Sequence, residues 1–126
     1  MLVERARAAM ANAYAPYSKF HVGAAIEAED GQVYLGCNVE NASYGLTICA
    51  ERMAVGAAAV AGARKFRRVV VATAVEPPVS PCGACRQLLL EFGGEMEIIG
   101  VGPKSERRWT LKDLLPDAFS RESMKK

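Results

Sequence analysis

Apolar residues recur at helical spacing near the start of the chain. Leu2, Ala6, Ala9, Met10 and Ala13 share one face with charges between them, which predicts a helix from about Leu2 to Ala13. Pro16 stops it, and Tyr14 to Phe20 reads as an irregular aromatic segment. Val22 to Ala28 and Gln32 to Cys37 read as strands. Asp30-Gly31 between them supplies the positive backbone torsions that hairpins favour, so the pair is predicted antiparallel. Asn38 to Leu46 is polar and predicts a loop, leading into an Ala-rich helix from about Cys49 to Val60 that Gly62 ends. Arg68 to Ala74 is a continuous Val-rich run, the pattern of a strand covered on both faces. Pro77, Pro78 and Pro81 force a rigid loop before a helix from about Cys82 to Phe92, closed by Gly93-Gly94. Glu97 to Val101 and Arg107 to Thr110 complete the strands. Alternating strands and helices imply one layered α/β domain over residues 1–126, with right-handed crossovers and a tail from Asp117 to Lys126 that is loosely structured apart from Phe119.

Composition narrows the function. No apolar run approaches the ~18 residues of a membrane span, and the N-terminus lacks the apolar core and cleavage site of a signal peptide, so a cytoplasmic location is expected. Sixteen basic residues against fourteen acidic ones leave a formal charge of +2, too balanced for a surface that binds many phosphates. Four cysteines could form two disulfides, but in a reducing cytosol a close pair such as Cys82 and Cys85 points to metal binding or redox chemistry.

The spacing of the cysteines decides between these. Cys49-Ala50-Glu51 is followed, after residues 52 to 81, by Cys82-Gly83-Ala84-Cys85. Each half falls at a predicted helix start, and together they have the form of the zinc deaminase signature in which cysteine replaces the first histidine. Residues i and i+3 share a helix face, so Cys82 and Cys85 can bind one tetrahedral ion. Residues i and i+2 do not, so Cys49 and Glu51 converge only if Cys49 lies at the very start of its helix and Glu51 reaches around the end. Helix N-termini aimed at the sulfurs would lower the cysteine pKa values. Three thiolates leave a zinc site negative overall, and Arg52 and Arg86 are candidates to donate hydrogen bonds to the ligand sulfurs. Solvent-facing arginines are the alternative, an even choice for Arg86 and the lesser reading for Arg52. Two rivals remain open: a structural zinc knot closed by Cys37, which otherwise reads as a small buried residue, and a redox pair.

The same residues carry a wider resemblance. Tyr14 to Ala25, Gly36 to Gly45, Cys49-Ala-Glu-Arg52, Ser80 to Gln87 and Leu114 to Phe119 together resemble the small, homotetrameric, zinc-dependent cytidine deaminases over nearly the whole chain. The resemblance implies a three-layer α/β/α sandwich with a mixed sheet of about five strands and one zinc ion per subunit, held by Cys49, Cys82 and Cys85. It implies that Glu51 shuttles protons while cytidine or deoxycytidine is hydrolysed to uridine or deoxyuridine and ammonia, a pyrimidine salvage reaction. Asn38 and Glu40 would bind the ribose hydroxyls, Phe20 would pack on the pyrimidine, and the Ala50 backbone would help fix the base. Without the resemblance, Asn38 and Glu40 would read as a solvated turn. Phe119 would reach a neighbouring subunit's active site; its other possible role is to cap the chain's own core. Tyr44 is either near a subunit boundary or a plain loop residue, and His21, surplus to the metal set, is expected at the surface or in a strand. The expected ligand is a lone nucleoside, with no nucleic acid polymer and no membrane.

Overall fold

The computed structural model describes residues 1–124; Lys125 and Lys126, the end of the expected loose tail, lie outside them. Helix α1 (Leu2–Met10) precedes the hairpin of β1 (Val22–Ala28) and β2 (Val33–Cys37), after which come α2 (Ala50–Val60), β3 (Phe66–Thr73), α3 (Gly83–Leu90), β4 (Glu97–Val101), β5 (Glu106–Thr110) and α4 (Leu111–Leu114). The five strands form one sheet in the order β2-β1-β3-β4-β5. Only β3 and β4 run parallel, as a strand–helix–strand crossover through α3 allows; the other pairs are antiparallel. The sheet is therefore mixed, as the resemblance implies.

Alternation along each strand sends side chains to opposite faces and creates two cores. On one face Ala25, Val70, Ala72, Ile99 and Val101 bury against Ala6 of α1. On the other, Ala24, Ile26, Val69, Val71 and Ile98 meet Ala50, Ala54 and Ala58 of α2, Leu89 of α3 and Leu111 of α4. Helices on both sides of one sheet give the three-layer sandwich. The alanines keep α2 close to the sheet. At the nearest approach a Cβ on Gly36 of β2 would lie 2.3 Å from the Ala50 carbonyl oxygen and 2.5 Å from the Ala54 nitrogen, so glycine alone lets β2 seat the helix start that carries the candidate metal ligand.

Boundaries shift for local reasons. Helix α1 ends at Met10 because the N–H groups of Ala11, Asn12 and Ala13 turn back to the carbonyls three residues earlier, winding the expected last turn into tight turns. Strand β3 begins at Phe66, two residues before the apolar run, because Phe66 is buried and stacks on Phe92 at 4.7 Å. Helix α4 is absent from the sequence reading. Its signal is the spacing Thr110-Leu-Lys-Asp113, in which the Thr110 hydroxyl donates to the Asp113 carboxylate at 2.7 Å. The tail also holds a 3₁₀ turn, Arg121–Met124, where loose structure was expected. Among the described residues no helix is long and apolar enough to cross a membrane.

Candidate metal centre and active site

Helices α2 and α3 both lie on one face of the sheet, and their N-termini bring the cysteines together. Cys49 is the N-cap of α2 and Cys82 the N-cap of α3, both with extended backbone, while Cys85 sits one turn into α3 and is fully buried. The ligand atoms of Cys49, Cys82 and Cys85 lie within 4.8 Å of one another, the one such cluster of three or more potential ligands among the described residues. Tetrahedral sulfurs ~2.3 Å from zinc stand roughly 3.8 Å apart, so the three thiols fit a shared ion with little movement. Cys37 is outside the cluster and half-buried in β2, less covered than a core residue would be. The four-cysteine knot is thus not built.

Charge supports the same fit. Burial pushes the Cys49 and Cys85 thiols up, Cys85 far up, and the Glu51 carboxylate adds to both shifts. Cys82 is lowered instead, chiefly by the backbone N–H of Cys85 at the start of α3. One helix tip therefore favours a thiolate, and the other two sulfurs require a cation beside them to ionise; a bound metal deprotonates such thiols outright.

Glu51 is the second residue of α2 and only 5% exposed, the most deeply buried acid in the chain. Burial raises its pKa above the ordinary carboxylate range. Its charge opposes ionisation of all three thiols. Cys49, Ala50, Glu51 and Cys82 all line a cavity of about 310 Å³, near the lower limit of the roughly 300–1,000 Å³ usual for small-molecule sites. A larger hollow of about 630 Å³ near the C-terminal end of α3 is lined by Arg64, Lys65 and Glu91 but has no cluster of metal ligands.

Phe20 and Asn38 line the same cavity. Asn38 is buried, and its amide bridges the chain before β1: Nδ2 donates to the Phe20 carbonyl at 2.8 Å and Oδ1 accepts from the Val22 N–H at 2.9 Å. One N–H and one lone pair of the amide remain for a ligand. Glu40 is not among the residues lining that cavity. It borders an adjoining hollow with Tyr17 and Tyr44, and Thr47 borders both. Its carboxylate accepts from the Tyr17 and Ser18 N–H groups at 3.0 and 3.1 Å and from the Ser18 hydroxyl, which holds it below the usual carboxylate range. Tyr17 and Tyr44 meet edge to face with centroids 6.0 Å apart.

The two arginines differ from expectation. Arg52 is exposed on the first turn of α2, and its side chain makes no hydrogen bond or ion pair with any described residue. Arg86 donates to three oxygens, the Pro81 and Leu114 carbonyls and Ser80 Oγ, and to no sulfur, because its side chain runs back along the loop that enters α3. Phe119 is 65% exposed and does not cap the chain's own core. His21 is exposed just before β1. The sequence reading omitted Val22, Thr47, Ile48, Val71, Val79 and Ser80 from the cavity wall; the signal for Ser80 was its place beside Pro81-Cys82 in a block that carries the resemblance.

Comparison with known proteins agrees with the geometry. Residues 1–101 match the family model described as the cytidine and deoxycytidylate deaminase zinc-binding region. The chain is 47% identical over 125 residues to a cytidine deaminase of Sporosarcina psychrophila, covering 98% of this chain and 92% of that protein. The crystal structure of cytidine deaminase from Burkholderia pseudomallei superposes with a TM-score of 0.90 at 49% identity, covering 94% of this chain and 96% of that one. That from Mycobacterium tuberculosis gives 0.82 at 46% identity, covering 94% of each. With its three clustered sulfurs and its buried glutamate, the chain belongs to the zinc-dependent cytidine deaminase family.

Proposed function

We propose that this protein hydrolytically deaminates free cytidine and deoxycytidine to uridine and deoxyuridine with release of ammonia, as a cytoplasmic step of pyrimidine salvage. The observation that carries the reading is a buried carboxylate outside the three-sulfur cluster, lining with Cys49 and Cys82 a cavity sized for one small molecule. Cys49, Cys82 and Cys85 would hold the zinc, which would supply Lewis-acid activation of water there. Glu51 accepts the proton that the attacking water gives up and delivers it to N3 of the ring as C4 is attacked; it then takes the second proton from the new C4 hydroxyl and passes it to the leaving amine, so that C4 becomes a carbonyl as ammonia departs. Burial raises the Glu51 pKa above the ordinary carboxylate range, the direction that favours taking up a proton. The wall formed by Phe20, Val22 and Val71 excludes bulk water from the pyrimidine. The free donor and acceptor of Asn38, and the lone pairs that Glu40 keeps, hold the ribose hydroxyls, while the Ala50 backbone at the start of α2 fixes the base.

Cytidine turnover followed by ultraviolet absorbance, with and without a chelator, tests the reading. Turnover that stops when metal is removed and returns with zinc supports it; zinc-loaded protein that releases no ammonia from cytidine, deoxycytidine or cytosine leaves only a zinc-stabilised binding module.

Four copies sharing active sites form the working unit in this reading. Phe119 stands out from its own chain, and Tyr44, Leu46 and Val60 are 74%, 65% and 91% exposed. On α2 the outward residues Met53, Gly56 and Val60 border an apolar groove with Leu88. Exposed apolar surface of this kind marks association sites, and Phe119 so displayed can complete a neighbour's cavity.

Arg52 supplies the positive charge that offsets the thiolates. It leaves the same helix turn as Cys49 and has no competing partner among the described residues. Arg52→Gln should fold normally but hold zinc on the order of 10-fold more weakly, as loss of a partner to a metal ligand generally does. Unchanged zinc affinity and kinetics would remove this role.

A further inference from the structure

Arg86 directly follows Cys85, and each of its three nitrogens engages a different oxygen. Nε donates to the Pro81 carbonyl at 2.7 Å, Nη2 to Ser80 Oγ at 2.6 Å and Nη1 to the Leu114 carbonyl at 2.8 Å, all part-buried. The first two partners immediately precede Cys82, and Ser80 is itself part of the cavity wall. The third closes α4, after which the chain runs through Pro116 to Phe119. The next residue along α3 extends the grip: Gln87 Nε2 donates to the Phe119 carbonyl at 2.7 Å. Two consecutive side chains of the metal-bearing helix thus hold the ligand loop on one side and the C-terminal segment on the other.

We infer that Arg86 is a positioning residue that couples the Ser80-Pro81-Cys82 loop to the C-terminal segment, so that order at the metal site and order in the stretch bearing Phe119 rise and fall together. Guanidinium geometry is what makes this possible. Its planar fork presents donors in fixed, divergent directions, whereas a lysine offers one nitrogen on a flexible stem and cannot span three acceptors placed around a plane. Gln87 alone, exposed and holding one carbonyl, would leave the segment free to swing about Leu114. The inference rests on the reading of the three cysteines as the zinc site and of Phe119 as lent to a neighbour. In such an assembly each subunit's metal loop sets the placement of the aromatic it contributes next door.

The test uses the zinc-loaded, full-length protein and its Arg86→Lys and Arg86→Gln variants. Two readouts are needed: the rate of zinc transfer to a chromogenic chelator, and amide hydrogen exchange in residues 79–85 and 115–124. Both variants should release zinc faster, on the order of 10-fold, and both segments should exchange faster together. Removing zinc from the unmodified protein should loosen residues 115–124 along with 79–85, an arm that needs no variant to fold. If lysine restores the zinc release rate, charge and not fork geometry is responsible and the inference fails. It fails equally if zinc removal loosens 79–85 while 115–124 exchange as before. Neither readout depends on cytidine turnover, so a protein that shows the coupling without deaminating cytidine would sink the functional reading and leave this one standing.

Discussion

Glu51→Gln should abolish nearly all turnover of cytidine while leaving the fold and the bound zinc in place. Glutamine has the same shape, so the buried pocket beside the N-terminus of α2 stays filled. Glu51 is 5% exposed, and the backbone hydrogen bond its carboxylate accepts comes from its own N–H, which the amide oxygen of glutamine can accept equally. Because the Glu51 charge acts against ionisation of all three thiols, neutralising it relieves the sulfurs, and zinc content should not fall. What is lost is a group able to accept and return a proton, and general acid–base catalysis of that kind contributes ~10²–10⁴ in rate. Here one carboxylate serves more than one transfer, so the loss in kcat should be at least of that order. Steady-state kinetics beside metal analysis gives the answer: a variant with full zinc and substantial kcat would show that protons move by another route.

Cys82→Ala should yield a folded protein that neither retains zinc nor turns over substrate. Cys82 is the ligand to choose because it is the exposed one; truncating it removes a sulfur without opening a hole in the core, as truncating Cys85 would. Its backbone still begins α3, and alanine leaves the Cys82 carbonyl bond to the Arg86 N–H untouched. Loss of one ligand in three leaves two thiols that burial keeps protonated in the absence of a cation, so zinc should fall well below one ion per chain. Thermal unfolding separates this from misfolding. A ligand that binds only the native state adds about 2.7 kcal/mol at 100 times its Kd, so a chelator should lower the Tm of the unmodified protein. Cys82→Ala should start near that lower Tm and not respond to chelator. Retained zinc with retained activity would remove Cys82 from the ligand set.

Much of the site was legible because its chemistry is written in local spacing. Cys82 and Cys85 are one helical turn apart, and the prolines before them and the loop before Cys49 mark both helix starts, where N-caps occur. Continuous apolar runs likewise mark the central strands β1, β3 and β4, since burial leaves its pattern in the chain, whereas β5, Glu106-Arg-Arg-Trp-Thr110, carries no such run. Boundaries were less legible where hydrogen bonding departs from the period, as in the tight turns that end α1 at Met10. A four-residue helix such as α4 is too short to show a period at all.

The sequence alone determined which residues are chemically competent: three sulfurs, one glutamate between two helix starts, and a sheet with apolar residues facing two ways. Tertiary structure decided what each long polar side chain does. Arg86, a candidate for the ligand sulfurs on spacing alone, holds Ser80, Pro81 and Leu114 instead, the last of them 28 residues away. Glu40, read as a ribose ligand, is held in place by hydrogen bonds from Tyr17 and Ser18, which no local spacing announced. The physical reason is reach. A thiol one bond from Cβ goes where its backbone goes, so spacing fixes its position, whereas a guanidinium or carboxylate on a flexible stem selects among acceptors and donors that only the folded chain brings within range.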